Sequence, residues 1–375
     1  MFFGVFVDLC RLFLFNAQYL PRAGPIRAIG PGGYLLECQC GILCGRTAWF
    51  TVRFLEKEGV MKRAKVTIVG AGNVGATLAQ ALARTDLVDL SLIETAQAAG
   101  MAAGKALDIQ QAGAVLGYST RLTGGDDWAL AAEAQVIVVT AGVARKPGMA
   151  RDDLLAINAK IVAGAAREAA RRAPEAVAIL VSNPLDAMCE VFQRASGFPL
   201  ERVIGMAGVL DSARMRTFVA GELGISPQSV QACVLGGHGD TMVPLPRCST
   251  AAGAPLTDLL PPERLEAVIE RTRNGGAEIV KLLESGSAFY APAASAAEMV
   301  ESIILDQKKV LPCAVRLRGE YGVEGLFIGV PAVLGARGVE RVIEIPLTAA
   351  EADIFQKSVA AVQTLVQQID GMGVV

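Results

Sequence analysis

The chain has 375 residues, 52% of them hydrophobic and 19% charged, ample apolar content for the cores of two ordinary domains. Its 35 basic and 37 acidic residues leave a formal net charge of -2. With no global field to recruit them, nucleic acid and membrane are not expected partners, and a small molecule is.

Residues 1–60 stand apart from the rest of the chain. They are aromatic and Cys-rich, Gly and Pro punctuate Ala23 to Gly33, and no sustained helical or strand period is visible. The apolar run Met1 to Phe15 is broken by Asp8 and Arg11 and lacks the basic start and cleavage site of a secretory signal. Cys38, Cys40 and Cys44 cluster here without paired Cys-x-x-Cys spacing or a nearby histidine, so no metal site is expected. Together with Cys10 they are half of the eight cysteines, and nothing resembles a secreted disulfide framework. The segment reads as an N-terminal extension, disordered or a mis-assigned start, with Met61 opening the folded chain. An organelle presequence is the rival reading, disfavoured because such segments are Arg- and Ser-rich and acid-poor.

From Lys65 the pattern becomes regular. Lys65–Val69 is a short apolar, β-branched run closed by Gly70, and Ala76–Arg84 has helix-forming composition, giving strand, turn and helix. A second strand is expected at Leu90–Ile93, followed by an Ala-rich helix. Further strands are expected at Val136–Thr140 and Val177–Val181, with a long helix Asp152–Arg171 between them. Short apolar strands separated by helices imply a parallel sheet covered on both faces.

Past Ile204 the spacing predicts a helix near Leu210–Gly221, a strand Val230–Leu235, helices Pro262–Glu284 and Ala293–Leu305, and strands Val315–Arg318 and Leu326–Val333. A last helix opens with Thr348 and Glu351 in capping-box spacing, and Phe355, Val359, Val362, Val366 and Ile369 make its apolar stripe. The fold class is therefore α/β: a Rossmann-type doubly wound parallel sheet over 61–205, followed by an α+β catalytic domain over 206–375.

Gly70-Ala-Gly72-Asn73-Val74-Gly75 follows a strand and opens a helix. Gly70 permits the tight turn, Gly72 lets backbone approach a pyrophosphate, and Gly75 allows close contact of helix and strand. Glu94 ends the second strand about 20 residues further on, where a carboxylate accepts both ribose hydroxyls and disfavours a 2′-phosphate. NAD is the cofactor this predicts. The alternatives are chance glycines at a turn, in a chain that has 40, and another adenosine cofactor such as S-adenosylmethionine.

The sole histidine, His238, sits in Gly236-Gly237-His238-Gly239-Asp240 directly after an apolar strand. Dehydrogenating a secondary alcohol needs a base for the hydroxyl proton while the carbon-bound hydrogen leaves as hydride, and an imidazole of ordinary pKa about 6.5 suits both directions. Such a histidine needs a carboxylate to fix its tautomer. Asp211, in Gly208-Val-Leu-Asp211-Ser-Ala-Arg214, is one candidate, and Asp240 is nearer in the chain.

Arg145 and Arg151 lie in a basic, Gly- and Pro-punctuated loop after Thr140, at the strand edge where open α/β sheets bind ligands. Arg214 follows Asp211 by one helical turn. Guanidinium groups grip carboxylates through paired hydrogen bonds. The plain alternative is a solvated basic loop, with Asp152 and Asp153 favourable at the start of the next helix.

From Met61 to about Gly371 the sequence resembles the lactate/malate dehydrogenase family, and within it the bacterial lactate-dehydrogenase-like malate enzymes. The resemblance rests on Gly70-x-Gly72-x-x-Gly75, the stretch Ala141 to Leu155, Asn158-Ala-Lys-Ile, Val181-Ser-Asn183-Pro-Leu-Asp186, Leu210-Asp-Ser-Ala-Arg214 and Gly236-Gly-His-Gly-Asp240. It implies His238 as proton donor and acceptor with Asp211 as its partner. Arg214 would clamp the carboxylate beside the reacting carbon, and Arg151 would polarise the carbonyl. Asn183 would hold substrate and the nicotinamide end, and Asn158 and Val181 would line the cofactor site with Asn73 and Val74. Lactate enzymes carry glutamine where Arg145 stands, so the resemblance implies malate and oxaloacetate as substrates. An unpaired buried charge would reject pyruvate, whereas a second carboxylate neutralises it. A cytoplasmic homo-dimer or homo-tetramer is implied as well. A lactate or broad 2-hydroxy-acid dehydrogenase and a non-catalytic NAD-binding protein are the alternatives.

Overall fold

The structure, a computed structural model, describes residues 26–29, 35–43, 47–55, 63–143 and 151–374. The chain divides into two compact units, Met1–Lys62 and Arg63–Val375.

In the first unit β1 (Ile26–Ile29), β2 (Leu35–Leu43) and β3 (Thr47–Leu55) form an antiparallel sheet in that order. β2 pairs with β3 from Leu35 opposite Leu55 to Leu43 opposite Thr47. The sheet forms although these residues show no sustained strand period. β3 is rich in β-branched and aromatic residues (Thr47, Trp49, Phe50, Thr51, Val52, Phe54) that favour a pleated surface. Apolar residues occur at odd and even positions of this segment alike, so the sequence shows no alternation. The expected disorder of the remaining extension, the start at Met61 and the cysteine cluster's side chains lie outside the described residues.

In the second unit β4 (Ala64–Val69), α1 (Asn73–Ala83), β5 (Val88–Ile93), α2 (Ala99–Leu116), β6 (Leu122–Gly125) and β7 (Val136–Val139) follow in sequence. Next come α3 (Arg151–Arg172), β8 (Val177–Leu180), α4 (Leu185–Ser196), β9 (Val203–Gly205) and α5 (Gly208–Leu223). Short strands β10 (Val230–Gln231), β11 (Val234–Leu235), β12 (Val243–Pro244), β13 (Thr250–Ala251) and β14 (Ala254–Pro255) precede the one-turn α6 (Leu256–Leu259). The chain ends with α7 (Pro262–Leu283), α8 (Tyr290–Ile304), β15 (Lys309–Arg318), β16 (Glu324–Gly335), β17 (Gly338–Val342) and α9 (Ala349–Met372).

Six strands pair in parallel in the order β9-β8-β7-β4-β5-β6, the doubly wound arrangement whose order reverses between β4 and β7. Val66, Ile68, Val136, Val138 and Ile179 have no exposed surface, because helices cover both faces. The sheet continues past the expected boundary at 205. Antiparallel β15, β16 and β17 extend it to nine strands, β15 joining β9 where Ala314 faces Gly205.

Several elements escape the sequence pattern for physical reasons. β6 offers only Leu122 and Thr123 before two glycines, and β9 is three residues long; neither makes an apolar run. The expected strand Val230–Leu235 is two, because β10 pairs with β13 while β11 pairs with β12. The last helix forms as its spacing predicts: the Thr348 hydroxyl accepts from the Glu351 amide, and Glu351 accepts from the Thr348 amide at 2.8 Å.

Candidate active site

The turn from β4 to α1 is fixed by its glycines. Gly70 has φ +102°, and a Cβ there would stand 2.7 Å from the Ala141 nitrogen; one on Gly75 would stand 1.9 Å from the Gly70 carbonyl oxygen. A Cβ on Gly72 would meet nothing within 4 Å, which leaves open space beside the turn. No side chain caps α1, so the first backbone N–H groups, from Asn73 and Val74 onward, have no partner within the helix and face that space. An open helix N-terminus flanked by close-packed glycines fits a dinucleotide pyrophosphate.

Glu94, at the carboxyl end of β5, accepts from the Ala71 amide at 3.1 Å. Its carboxylate thus lies beside the turn, where a ribose would succeed the pyrophosphate. Lys105 on α2 donates to the Ala71 carbonyl at 2.7 Å, so the two peptide groups flanking Ala71 are each held by a side chain. No sequence signal marks Lys105, since a lysine on an Ala-rich helix reads as a solvated charge.

His238 comes after β11. Its ring Nδ1 lies 2.9 Å from the Asp211 carboxylate, and Asp240 is exposed; the open choice of partner therefore falls to Asp211. The pairing with a carboxylate places the hydrogen on Nδ1 and leaves Nε2 to exchange a proton. Burial alone would lower the imidazole pKa, but the Asp211 charge and hydrogen bond outweigh it and the pKa is raised.

Asp211 and Arg214 lie on the first two turns of α5, and Arg214 Nη1 donates to the other Asp211 oxygen at 3.2 Å. Burial lowers the Arg214 pKa against the pull of Asp211, and its Nε is buried without a partner. Gly275 and Gly276 on α7 make room for the guanidinium: a Cβ on Gly275 would lie 3.1 Å from Arg214 Cδ. A desolvated cation with an unused donor is suited to an anionic group.

Asn158 on α3 is buried, and its side chain is spent on backbone. Its Oδ1 accepts from Val143 at 2.8 Å, and its Nδ2 donates to the Asn183 carbonyl at 2.7 Å and to the Val143 carbonyl at 3.2 Å. It joins the segments after β7 and β8, whereas the family resemblance implies a cofactor contact. The Asn183 side chain is exposed at the carboxyl end of β8, and Val181, buried before it, donates its amide to Val139. Arg151 begins α3, but its side chain and all of Arg145 lie outside the described residues.

Two positioning groups escape the sequence reading. The His238 amide donates to Asp186 Oδ2 at 3.0 Å, and the Gly237 amide donates to Ser358 Oγ at 2.8 Å. Asp186 stands three residues after Asn183 in one of the family-like motifs, which is the available signal. Ser358 is 121 residues from Gly237, beyond any local pattern. Among the described residues no three His, Cys, Asp or Glu side chains gather to hold a metal ion, and no helix is long and apolar enough to cross a membrane.

Comparison with known proteins adds to this geometry. Residues 64–205 match the family model for the lactate/malate dehydrogenase NAD binding domain, and residues 208–371 match that for its alpha/beta C-terminal domain. A malate dehydrogenase of Rhodopirellula baltica is 54% identical over 312 residues, covering 83% of this chain and 99% of that protein. One of Thermomicrobium roseum is 54% identical, covering 81% and 98%. The crystal structure of Cryptosporidium parvum malate dehydrogenase superposes with a TM-score of 0.80 at 42% identity, covering 82% of this chain and 99% of that one. The lactate dehydrogenase of the same organism, solved with lactic acid and β-nicotinamide adenine dinucleotide, gives 0.80 at 36% identity, covering 83% and 99%.

Proposed function

The chain belongs to the lactate/malate dehydrogenase family, and from that premise we propose that it catalyses the reversible, NAD-dependent oxidation of (S)-malate to oxaloacetate. The observation that carries the chemistry is the His238–Asp211 pair at 2.9 Å with Arg214 on the same carboxylate. This is a proton-exchanging imidazole beside a desolvated cation, both at the carboxyl edge of the sheet. Relatives at 54% identity that are named malate dehydrogenases support the substrate.

NAD, when bound, supplies the hydride acceptor. Gly72 and the N-terminus of α1, with Asn73 and Val74, would hold the pyrophosphate, Val181 would line the cofactor site, and Glu94 would take the ribose hydroxyls, favouring NAD over its 2′-phosphorylated form. Arg214 grips the carboxylate next to the reacting carbon, Arg145 pairs with the distal carboxylate, and Asn183 orients the substrate. His238 Nε2 accepts the hydroxyl proton as the carbon-bound hydrogen leaves as hydride, and Asp211 stabilises the imidazolium. In the reverse direction Arg151 polarises the keto group and His238 returns the proton.

A cytoplasmic homo-dimer or homo-tetramer belongs to the same proposal. Exposed Met101, Leu107 and Val115 on α2, at 42%, 57% and 86%, support an assembly, which sedimentation tests.

The decisive assay follows NADH absorbance with oxaloacetate and with pyruvate, then repeats both with NADPH. Turnover confined to oxaloacetate and NADH is expected. In Arg145→Gln, oxaloacetate reduction falls about 100-fold while pyruvate reduction changes little, the effect of losing a charge-assisted pair available only to the dicarboxylate. Equal loss on both substrates overturns the role of Arg145, and comparable pyruvate turnover by the unaltered chain favours a broad 2-hydroxy-acid enzyme.

A further inference from the structure

Asp186 has no part in the proton relay, yet it is 4% exposed and lies against the histidine loop. It sits in the first turn of α4, three residues after Asn183. Its Oδ2 accepts the His238 amide at 3.0 Å, while Oδ1 is buried with no partner. A neutral asparagine would supply the same acceptor without desolvating a charge. The presence of a carboxylate therefore calls for an electrostatic reason.

Among the described residues, the charges that act on the His238 ring are those of Asp211 and Arg214 on α5 and Asp186 on α4. Arg214 disfavours the imidazolium, and Asp211 favours it. Asp211 is also shared with Arg214, one oxygen to each, so part of its charge is already committed. With His238 protonated and both carboxylates ionised, the cluster is neutral; without Asp186 the protonated state would leave an excess positive charge in a buried site.

We infer that Asp186 is a positioning residue for the proton-exchanging histidine, holding the His238 backbone by its hydrogen bond and offsetting the Arg214 charge so that the imidazolium is accessible. The carboxylate achieves both because α4 begins where the Asn183 segment ends, so the substrate-orienting and proton-exchanging segments share one anchor. The state of Asp186 itself is poised: burial, only partly countered by the His238 amide and ring, pushes its pKa up to about 6. The inference rests on the assignment of His238 to proton transfer, but its test does not depend on turnover.

The chain's single histidine gives one set of imidazole NMR signals, free of assignment ambiguity. In the full-length unaltered protein these signals are expected to show their own titration together with a second inflection near pH 6 from Asp186. In Asp186→Asn the second inflection vanishes and the imidazole pKa moves down by about half a unit to one unit. The alkaline fall of kcat/KM for oxaloacetate reduction moves with it, NADH affinity stays within about twofold, and kcat at neutral pH drops about three- to tenfold. Asp186→Ala shows the same shift and a further tenfold loss of kcat that Asn at this position rescues, because only Ala leaves the His238 amide without an acceptor. An imidazole titration unmoved by Asp186→Asn overturns the electrostatic role. Equal kcat in the Asn and Ala variants overturns the backbone role. If neither variant folds, the imidazole titration of the unaltered protein decides: a pKa at or below the ordinary 6.5 refutes the proposal. If the NMR shift appears without turnover on any 2-hydroxy acid, the assigned reaction fails and the positioning role stands.

Discussion

The Gly70–Gly75 turn and the Gly236–Asp240 loop both hold functional backbone at the carboxyl edge of the second unit, by opposite means. The first is shaped by what is missing. A Cβ on Gly75 would stand 1.9 Å from the Gly70 carbonyl and one on Gly70 would stand 2.7 Å from the Ala141 nitrogen, so the contacts are between main chains. The second is shaped by what is supplied from afar: the Gly236 amide donates to the Gly329 carbonyl, the Gly237 amide to Ser358 and the His238 amide to Asp186. A turn built from close main-chain contact tolerates no side chain at Gly70 or Gly75, whereas a loop held by side chains divides its stability among several replaceable bonds.

The largest effect expected is His238→Asn, which removes the proton-exchanging group while leaving the loop's backbone anchors in place. Turnover falls about 1,000-fold, whereas NADH affinity measured by fluorescence stays within about twofold. A parallel collapse of NADH binding would show that the loop and the dinucleotide turn are not separable. Next is the pH dependence of Asp186. Its folded pKa, about 6, lies above the ordinary aspartate value of 3.8, so the native state binds this proton more tightly than the unfolded chain. The cost of ionising it in the fold is absent below the unfolded value, grows as pH rises through that interval and is complete above about 6. Urea unfolding is therefore expected to show Asp186→Asn gaining on the unaltered protein across that window, by up to about 3 kcal/mol at neutral pH, despite its slower turnover.

Gly75→Ala sharpens the contrast from the other side. Forcing a methyl group into the Gly70 carbonyl is expected to cost about 2 kcal/mol and to weaken NADH binding, with kcat at saturating NADH changing less. Ser358→Ala is the mildest, at about 1 kcal/mol for one buried hydrogen bond and a modest fall in kcat, since Gly236 and His238 keep their own partners.

The same contrast explains what the sequence reveals. The dinucleotide turn is legible because its determinants sit within six consecutive residues after an apolar strand, and Glu94 recurs at a fixed interval. The Asp211–Arg214 spacing is legible as one helical turn. Ser358 is not, since it meets the loop only through the tertiary fold, and Asp186 is marked by its motif while its bond to the His238 amide is not. Asn158 is half legible: its motif marks it, but only the fold reveals that its amide bonds the main chains of Val143 and Asn183. The parallel strands emerge from their apolar runs, whereas β6 and β9, with few apolar residues, exist because their neighbours offer an edge to pair with.

The nine-stranded sheet has a mechanical corollary. Enzymes that open by swinging one lobe against another need a hinge that few interactions cross. Here the ladder runs from β9 into β15, and one continuous apolar cluster contains Val66 and Leu78 on the nucleotide side with Ile328 and Phe355 on the other. The described residues of the second unit are thus expected to move together and to melt in one transition. Ligand exchange is then expected to proceed without a swing of one lobe against the other.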